Sequence, residues 1–180
     1  DPESTLGPIV DEGARDDIHE LVTRAVEAGG EILTGGEKIE GEGYFYAPTA
    51  LKVQKGNPIL QEEIFGPVLQ MVRANSLEEA AALPTNHQYG NGVAIFTRNG
   101  EAAREFAARV EVGMVGINVP IPVPVAYHTF GGWKRSAFGD TNQHGMEGVK
   151  FWTKVKTITA RWPDSDLEHA DSSFVIPTMG

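Results

Sequence analysis

The sequence contains no cysteine among its 180 residues. Disulfide scaffolds, cysteine-ligated zinc sites and iron–sulfur clusters are therefore excluded for this chain, because each of them needs cysteine sulfur. A thiol nucleophile carried by this chain is excluded for the same reason. A length of 180 residues with a hydrophobic fraction of 41% is enough for one domain with a substantial core.

Basic side chains are few: 15 Lys and Arg stand against 25 Asp and Glu, giving a formal net charge of −10. Nucleic acids and anionic membranes bind basic surfaces, so we expect neither as a partner. The chain also lacks the run of about 20 apolar residues that a membrane-spanning helix needs. Its five histidines show no HxH or HxxxH spacing, so no metal site is expected. We expect the protein in the cytoplasm, or in the mitochondrial matrix of a eukaryote.

Strand and helix patterns alternate through the first two thirds of the chain. Helices are predicted over residues 12–28, 76–83 and 100–110, and strands over residues 31–34, 48–53, 68–72, 93–97, 112–118 and 154–162. Asp11 and Ser76 are the expected N-caps of the first two helices, and Pro84 is expected to end the second one early. This alternation predicts an α/β fold with a largely parallel sheet flanked by helices.

A constrained acidic turn occupies residues 62–67 (EEIFGP). A carboxylate held on such a turn could accept two hydrogen bonds from a ribose diol, while the edge of an aromatic ring supports the same sugar. The other interpretation is an acidic surface turn with Phe65 in the core, and spacing alone favours it.

A proline-rich segment, residues 119–125 (VPIPVPV), leads into the glycine-containing loop 127–136 (YHTFGGWKRS). Alternating prolines restrict the backbone to an extended conformation, and the paired glycines allow a sharp turn. The loop could form the wall of a substrate channel with Phe130 or Trp133, or it could be a rigid crossover with its aromatic rings packed inward. His128 and His144 could act as bases, although hydrogen bonding within the loops is the more frequent role of such residues.

Several of these motifs, in this order, resemble the C-terminal part of aldehyde dehydrogenases. They are the segments 6–10 (LGPIV), 43–49 (GYFYAPT), 62–68 (EEIFGPV), 89–92 (YGNG), 113–118 (GMVGIN) and 130–136 (FGGWKRS). Residues 119–130 and 144–151, with 159–163 and 177–179, resemble the CoA-acylating branch of that family, which acts on methylmalonate and malonate semialdehydes. The resemblance covers nearly the whole chain.

The resemblance implies NAD-dependent oxidation of an aldehyde on a cysteine thiolate, with coenzyme A as the acyl acceptor in the full-length enzyme. It implies that Glu63 hydrogen-bonds the nicotinamide ribose, that Phe65 packs beside it and that Phe130 shapes the aldehyde channel. The resemblance assigns no catalytic residue to this chain, because it implies that the nucleophilic cysteine lies upstream of Asp1. We therefore expect the isolated chain to be inactive.

The resemblance also implies a division of the chain. Residues 1–150 would be the C-terminal part of the catalytic domain, residues 151–163 an oligomerisation strand and residues 164–180 an acidic tail, in a homo-oligomer that is a dimer or a tetramer. An alternative of a different class is a non-catalytic assembly module. It would self-associate or dock on full-length subunits by edge pairing of the C-terminal strand.

Overall fold

The computed structural model describes residues 4–139 and 141–160. These ranges contain four α-helices and seven β-strands, with two or three strands between each helix and the next. The helices are α1 (Glu12–Glu27), α2 (Leu77–Thr85), α3 (Gly100–Arg109) and α4 (Gly145–Trp152). The strands are β1 (Glu31–Thr34), β2 (Thr49–Lys52), β3 (Val68–Met71), β4 (Tyr89–Gly90), β5 (Gly92–Ile95), β6 (Met114–Ile117) and β7 (Trp133–Lys134). A 3-10 turn, Pro58–Gln61, precedes the acidic turn.

The strands of the described residues form three small sheets. Strand β2 lies between β1 and β3, antiparallel to the first and parallel to the second. Strands β5 and β6 pair in parallel, and β4 pairs with β7 in antiparallel fashion. The predicted α/β class is therefore confirmed, and its parallel character is carried by the pairs β2–β3 and β5–β6.

Helix α1 covers the first sheet. Its N-cap is Asp11, as predicted, and the side chain of Asp11 accepts a hydrogen bond of 2.8 Å from the backbone N–H of Ala14. The apolar face of the helix is buried because its residues recur at helical spacing. The core of this half comprises Ile18, Val22, Ala25, Tyr46, Leu51, Val53 and Ile59.

Helices α2 and α3 bury a second core against β5 and β6. Ser76 caps α2 by accepting from the N–H of Glu79 at 3.1 Å, as predicted, and Asn99 caps α3 by accepting from the N–H groups of Glu101 and Ala102. The buried residues of this core are Ala81, Phe106, Val110 and Val112.

Pro84 does not end helix α2 early, so that expectation is wrong. The helix continues through Pro84 to Thr85. The last turn is closed by the N–H of Asn86, which donates to the Ala82 carbonyl at 2.9 Å, and the ammonium group of Lys134 donates to the carbonyls of Pro84 and Thr85 at 3.0 and 2.6 Å. A cation at the C-terminal end of a helix satisfies its last carbonyls and stabilises the helix dipole.

The predicted strand over residues 154–162 is not confirmed. Residues 153–160 are exposed and form no strand in the described part of the chain, where no neighbouring edge pairs with them. Residues 161–162 and the tail 164–180 lie outside the described residues. Helix α4 was not predicted, because glycine, a poor helix former, occupies two of its positions. Its N-cap, His144, makes no side-chain capping bond. No helix of the described ranges has the length and apolar character needed to cross a membrane.

Candidate functional site

The acidic turn is held in a fixed position by short-range backbone bonds and by α1. The N–H of Gly66 donates to the Ile64 carbonyl at 2.9 Å, and the N–H of Val68 donates to the Gly66 carbonyl at 2.8 Å. A side-chain carbon at Gly66 would lie 2.5 Å from Cδ1 of Ile18 on α1. Glycine at position 66 thus lets the turn lie close to α1, and a larger residue there would displace the end of the Ile18 side chain.

The two acidic residues of the turn lie in different surroundings. Glu62 forms an ion pair of 2.7 Å with Arg24 of α1. Glu63 is exposed and has no ion pair within the described residues, and the side chain of Phe65 is 82% exposed. The interpretation that places Phe65 in the core of this chain is therefore wrong. Glu62 is therefore paired with α1, whereas Glu63 and Phe65 are exposed and open to a ligand.

The glycine loop packs tightly against β4 and the start of β6. A side-chain carbon at Gly113 would collide with the carbonyl oxygen of Gly131, and one at Gly132 would lie 2.5 Å from Cβ of Ser136. The hydroxyl of Ser136 accepts a bond of 3.0 Å from the N–H of Gly90. These contacts require glycine at Gly113 and Gly132 and fix the position of the loop.

Phe130 packs inward, against the ring of His144. The two ring centroids are 3.8 Å apart with an interplanar angle of 37°. His144 Nδ1 lies 3.2 Å from the side-chain oxygen of Asn142, which can only accept, so Nδ1 carries the proton. Of Phe130 and Trp133, the two candidates for a channel wall, Trp133 is the more exposed, at 54%.

A cavity of about 560 Å³ opens beside the loop. Thr129, Trp133, Asn142 and Glu147 contribute its polar and aromatic lining, whereas Phe130 does not line it. The role of Phe130 in an aldehyde channel therefore stays a prediction, as do the cofactor-binding roles of Glu63 and Phe65.

The acidic turn and the glycine loop are joined through residues 84–89 rather than by direct contact between Phe65 and Phe130. The N–H of Arg135 donates to the Gln88 carbonyl at 3.2 Å, and the amide of Gln88 donates to the Gln61 carbonyl at 3.0 Å. Gln88 and its neighbour His87 were not predicted as functional residues, because the partners of their side chains lie 27 positions away in the sequence.

Two ionisable groups of the described residues have shifted pKa values, and both lie outside the candidate site. Burial raises the pKa of Tyr46, and the hydrogen bond from Lys38 lowers the pKa of Asp16. Within the described ranges, no cluster of His, Asp and Glu side chains could hold a metal ion. The exposed groups on the fixed turn, Glu63 and Phe65, are available to bind a ligand.

Comparison with known proteins identifies a family. The model of the aldehyde dehydrogenase family matches residues 1–158. A malonate-semialdehyde dehydrogenase of Pseudomonas aeruginosa is 48% identical over 97% of this chain and 36% of its own length. A human mitochondrial methylmalonate-semialdehyde/malonate-semialdehyde dehydrogenase [acylating] is 42% identical over 99% of this chain and 34% of its own length. The chain thus spans about a third of these curated relatives.

Solved structures agree with this match. The methylmalonate-semialdehyde dehydrogenase of Oceanimonas doudoroffii superposes with a TM-score of 0.87 at 45% identity, over 92% of this chain and 35% of that one. A Sinorhizobium meliloti protein assigned to the same activity and crystallised with NAD has a TM-score of 0.87 at 50% identity, with the same coverage.

Proposed function

The chain belongs to the aldehyde dehydrogenase family, and on this premise we propose that it forms the C-terminal part of the catalytic domain of a CoA-acylating semialdehyde dehydrogenase. The names of its relatives support methylmalonate and malonate semialdehydes as substrates, and the human relative is named as acylating. The observation that carries the proposal is the fixed turn on which both Glu63 and Phe65 are exposed.

In the proposed reaction the aldehyde carbon is oxidised to a thioester of coenzyme A while NAD is reduced to NADH. Methylmalonate semialdehyde has four carbons and a propionyl group has three, so one carbon leaves as carbon dioxide. Malonate semialdehyde gives acetyl-CoA in the same way. The two substrates differ by one methyl group, which a binding pocket distinguishes by only about 1–3 kcal/mol.

Glu63 and Phe65 fit the role of holding NAD. An exposed carboxylate can accept hydrogen bonds from both hydroxyls of a ribose, and such charge-assisted bonds are stronger than neutral ones. The exposed ring of Phe65, two residues on, can pack against the same sugar. NAD supplies the hydride acceptor when it is bound, and the part of these two residues is to orient its ribose.

The nucleophilic thiol must come from outside this sequence, which contains no cysteine. We therefore propose that the isolated chain is inactive and that it works together with the remaining two thirds of an enzyme of the relatives' length. We further propose a homo-oligomer, dimer or tetramer, in the cytoplasm or in the mitochondrial matrix of a eukaryotic host. Exposed apolar residues of α4, such as Met146 and Trp152 at 70% and 78%, support an assembly surface.

A carboxylate substitution tests the cofactor site. In the full-length enzyme that contains this chain, Glu63→Gln should weaken NAD binding by about tenfold to a hundredfold, because hydrogen bonds to a charged group contribute about 1.5–3 kcal/mol. The matched control is Glu42→Gln at an exposed position of another loop, which should leave the dissociation constant unchanged. Equal NAD binding by the two variants, measured by titration calorimetry, would contradict the assignment.

The alternative of an assembly module acting by edge pairing has less support. It needs a C-terminal strand, and residues 153–160 form none in the described part of the chain.

A further inference from the structure

We propose that His87 and Gln88 are positioning residues that hold the acidic turn, and with it Glu63, in place for the ribose of the cofactor. This inference rests on the function proposed above. It starts from two hydrogen bonds that reach the last two residues of the 3-10 turn. His87 Nε2 lies 2.8 Å from the Leu60 carbonyl, and the Gln88 amide donates to the Gln61 carbonyl at 3.0 Å.

The partners of His87 fix its tautomer. The N–H of Tyr89 lies 3.1 Å from Nδ1 and can only donate, so Nδ1 accepts. The carbonyl of Leu60 can only accept, so Nε2 carries the proton and donates to it. A neutral imidazole with one donor and one acceptor therefore joins strand β4 to the 3-10 turn.

Gln88 extends this connection to the glycine loop. Its side-chain oxygen accepts from the guanidinium of Arg135, and its backbone carbonyl accepts from the N–H of Arg135 at 3.2 Å. The same guanidinium lies over the ring of Tyr89, 5.7 Å from its centroid. The amide of Gln88 is thus held in orientation by one partner while it donates to the Gln61 carbonyl on the other side.

The hydrogen bonds of His87 and Gln88 act on the acidic turn because their acceptors, the carbonyls of Leu60 and Gln61, directly precede it. The Gln61 carbonyl belongs to the peptide that leads into Glu62, one residue before Glu63. The far side of the turn is already fixed, since the N–H of Thr49 on β2 donates to the Pro67 carbonyl at 2.8 Å. His87 and Gln88 therefore anchor the near side, together with the packing of Leu60 and Ile64 on the core beneath α1. The Arg24–Glu62 ion pair adds little, because it is exposed.

Two readouts test the proposal in the full-length enzyme that contains this chain. The variants are His87→Phe, which removes both polar atoms, and Gln88→Met, which removes the amide at similar length. His87→Gln retains one donor and one acceptor and should restore most of the wild-type behaviour. The control is Gln54→Met, because Gln54 is exposed and makes no side-chain hydrogen bond within the described residues. Deuterium exchange of residues 58–68 and the dissociation constant for NAD are measured on each.

We expect His87→Phe and Gln88→Met to speed exchange over residues 58–68 and to raise the NAD dissociation constant by about threefold to tenfold, the loss of roughly one hydrogen bond. The KM for the aldehyde should not change. Unaltered NAD binding in these variants, while Glu63→Gln weakens it, would overturn the inference and leave the proposed function intact. Unaltered binding in Glu63→Gln as well would overturn both. If His87→Phe fails to fold, Gln88→Met decides the outcome alone, because Gln88 is only half-buried and its substitution should be tolerated.

Discussion

Gly113 determines how closely the start of β6 can approach the glycine loop. Its missing side chain leaves room for the carbonyl oxygen of Gly131, and the N–H of Gly113 donates to the Gly90 carbonyl at 2.9 Å. Three backbone segments therefore meet at a point where no side chain can be placed. The paired glycines of the loop were recognised in the sequence for their freedom to turn, but this steric requirement became visible only in three dimensions.

Gly113→Ala should destabilise the fold by about 1–3 kcal/mol, because the added methyl forces neighbouring backbone atoms to move. Gly7→Ala is the matched control, since a side-chain carbon at Gly7 would meet nothing within 4 Å. Urea unfolding of both variants measures the difference. Equal midpoints for the two would show that the contact between Gly113 and Gly131 is not tight.

Asp16 and Lys38 connect α1 to the segment that follows β1, with 2.6 Å between the ammonium nitrogen and the carboxylate oxygen. The hydrogen bond from Lys38 lowers the pKa of Asp16 below its ordinary value of 3.8. Because the pKa in the folded state is lowered, the pair stabilises the fold above the ordinary pKa, and this contribution is lost as the pH falls through the lowered value.

Asp16→Asn should therefore lower the urea midpoint at neutral pH and have a smaller effect at acid pH, because the wild-type carboxyl is protonated as the pH falls through its lowered pKa. The effect should be small, since the pair is exposed. Asp17→Asn, on the next and exposed residue of α1, serves as the control. A destabilisation by Asp16→Asn that is equal at both pH values would contradict an electrostatic origin.

The start of helix α2 is determined by local sequence signals, and its end is determined by a long-range contact. Its start was predicted correctly, because Ser76 and Glu79 carry the capping signal within four residues of sequence. Its end was not, because the group that satisfies its last carbonyls is Lys134, about fifty residues along the chain. Lys134 also has a positive φ of 55°, which is uncommon outside glycine and fits a residue held by its surroundings.

Lys134→Met should destabilise the protein by about 1–2 kcal/mol and fray the end of α2, because two carbonyls lose a charged donor. Lys154→Met is the control, since Lys154 is exposed and has no ion pair in the part of the chain that the structure describes. Thermal unfolding gives the stability, and deuterium exchange over residues 80–88 locates the fraying. Loss of stability without faster exchange there would place the effect of Lys134 elsewhere.

The difference between local sequence signals and long-range contacts explains which parts of the fold and of the candidate site could be predicted from the sequence. Helix α1 and strands β1 to β3 follow from local sequence patterns and caps. The roles of Glu63 and Phe65 are implied by the family resemblance of residues 62–67 and stay predictions. The strand expected at residues 154–162 depends on a pairing partner, and its described residues, through 160, form none. The hydrogen bonds of His87 and Gln88 join residues 27 positions apart, which no local pattern reveals.

Several large apolar side chains remain exposed in the described part of this chain. Phe138 is 100% exposed, Val155 is 94% exposed and Trp152 is 78% exposed. Such surfaces in water are characteristic of faces that another segment or subunit covers. Because the curated relatives are about three times as long, we expect the rest of the enzyme to cover part of these residues and to supply the nucleophilic cysteine.

The most direct test of this account is an assay of acyl-CoA and NADH formation from methylmalonate semialdehyde with NAD, in the presence and absence of coenzyme A. The full-length enzyme that contains this chain should form propionyl-CoA and NADH in equal amounts, and only when coenzyme A is present. The 180-residue chain alone should form neither, because it has no thiol. Turnover to a free acid without coenzyme A, or NADH formation by the chain alone, would contradict the account.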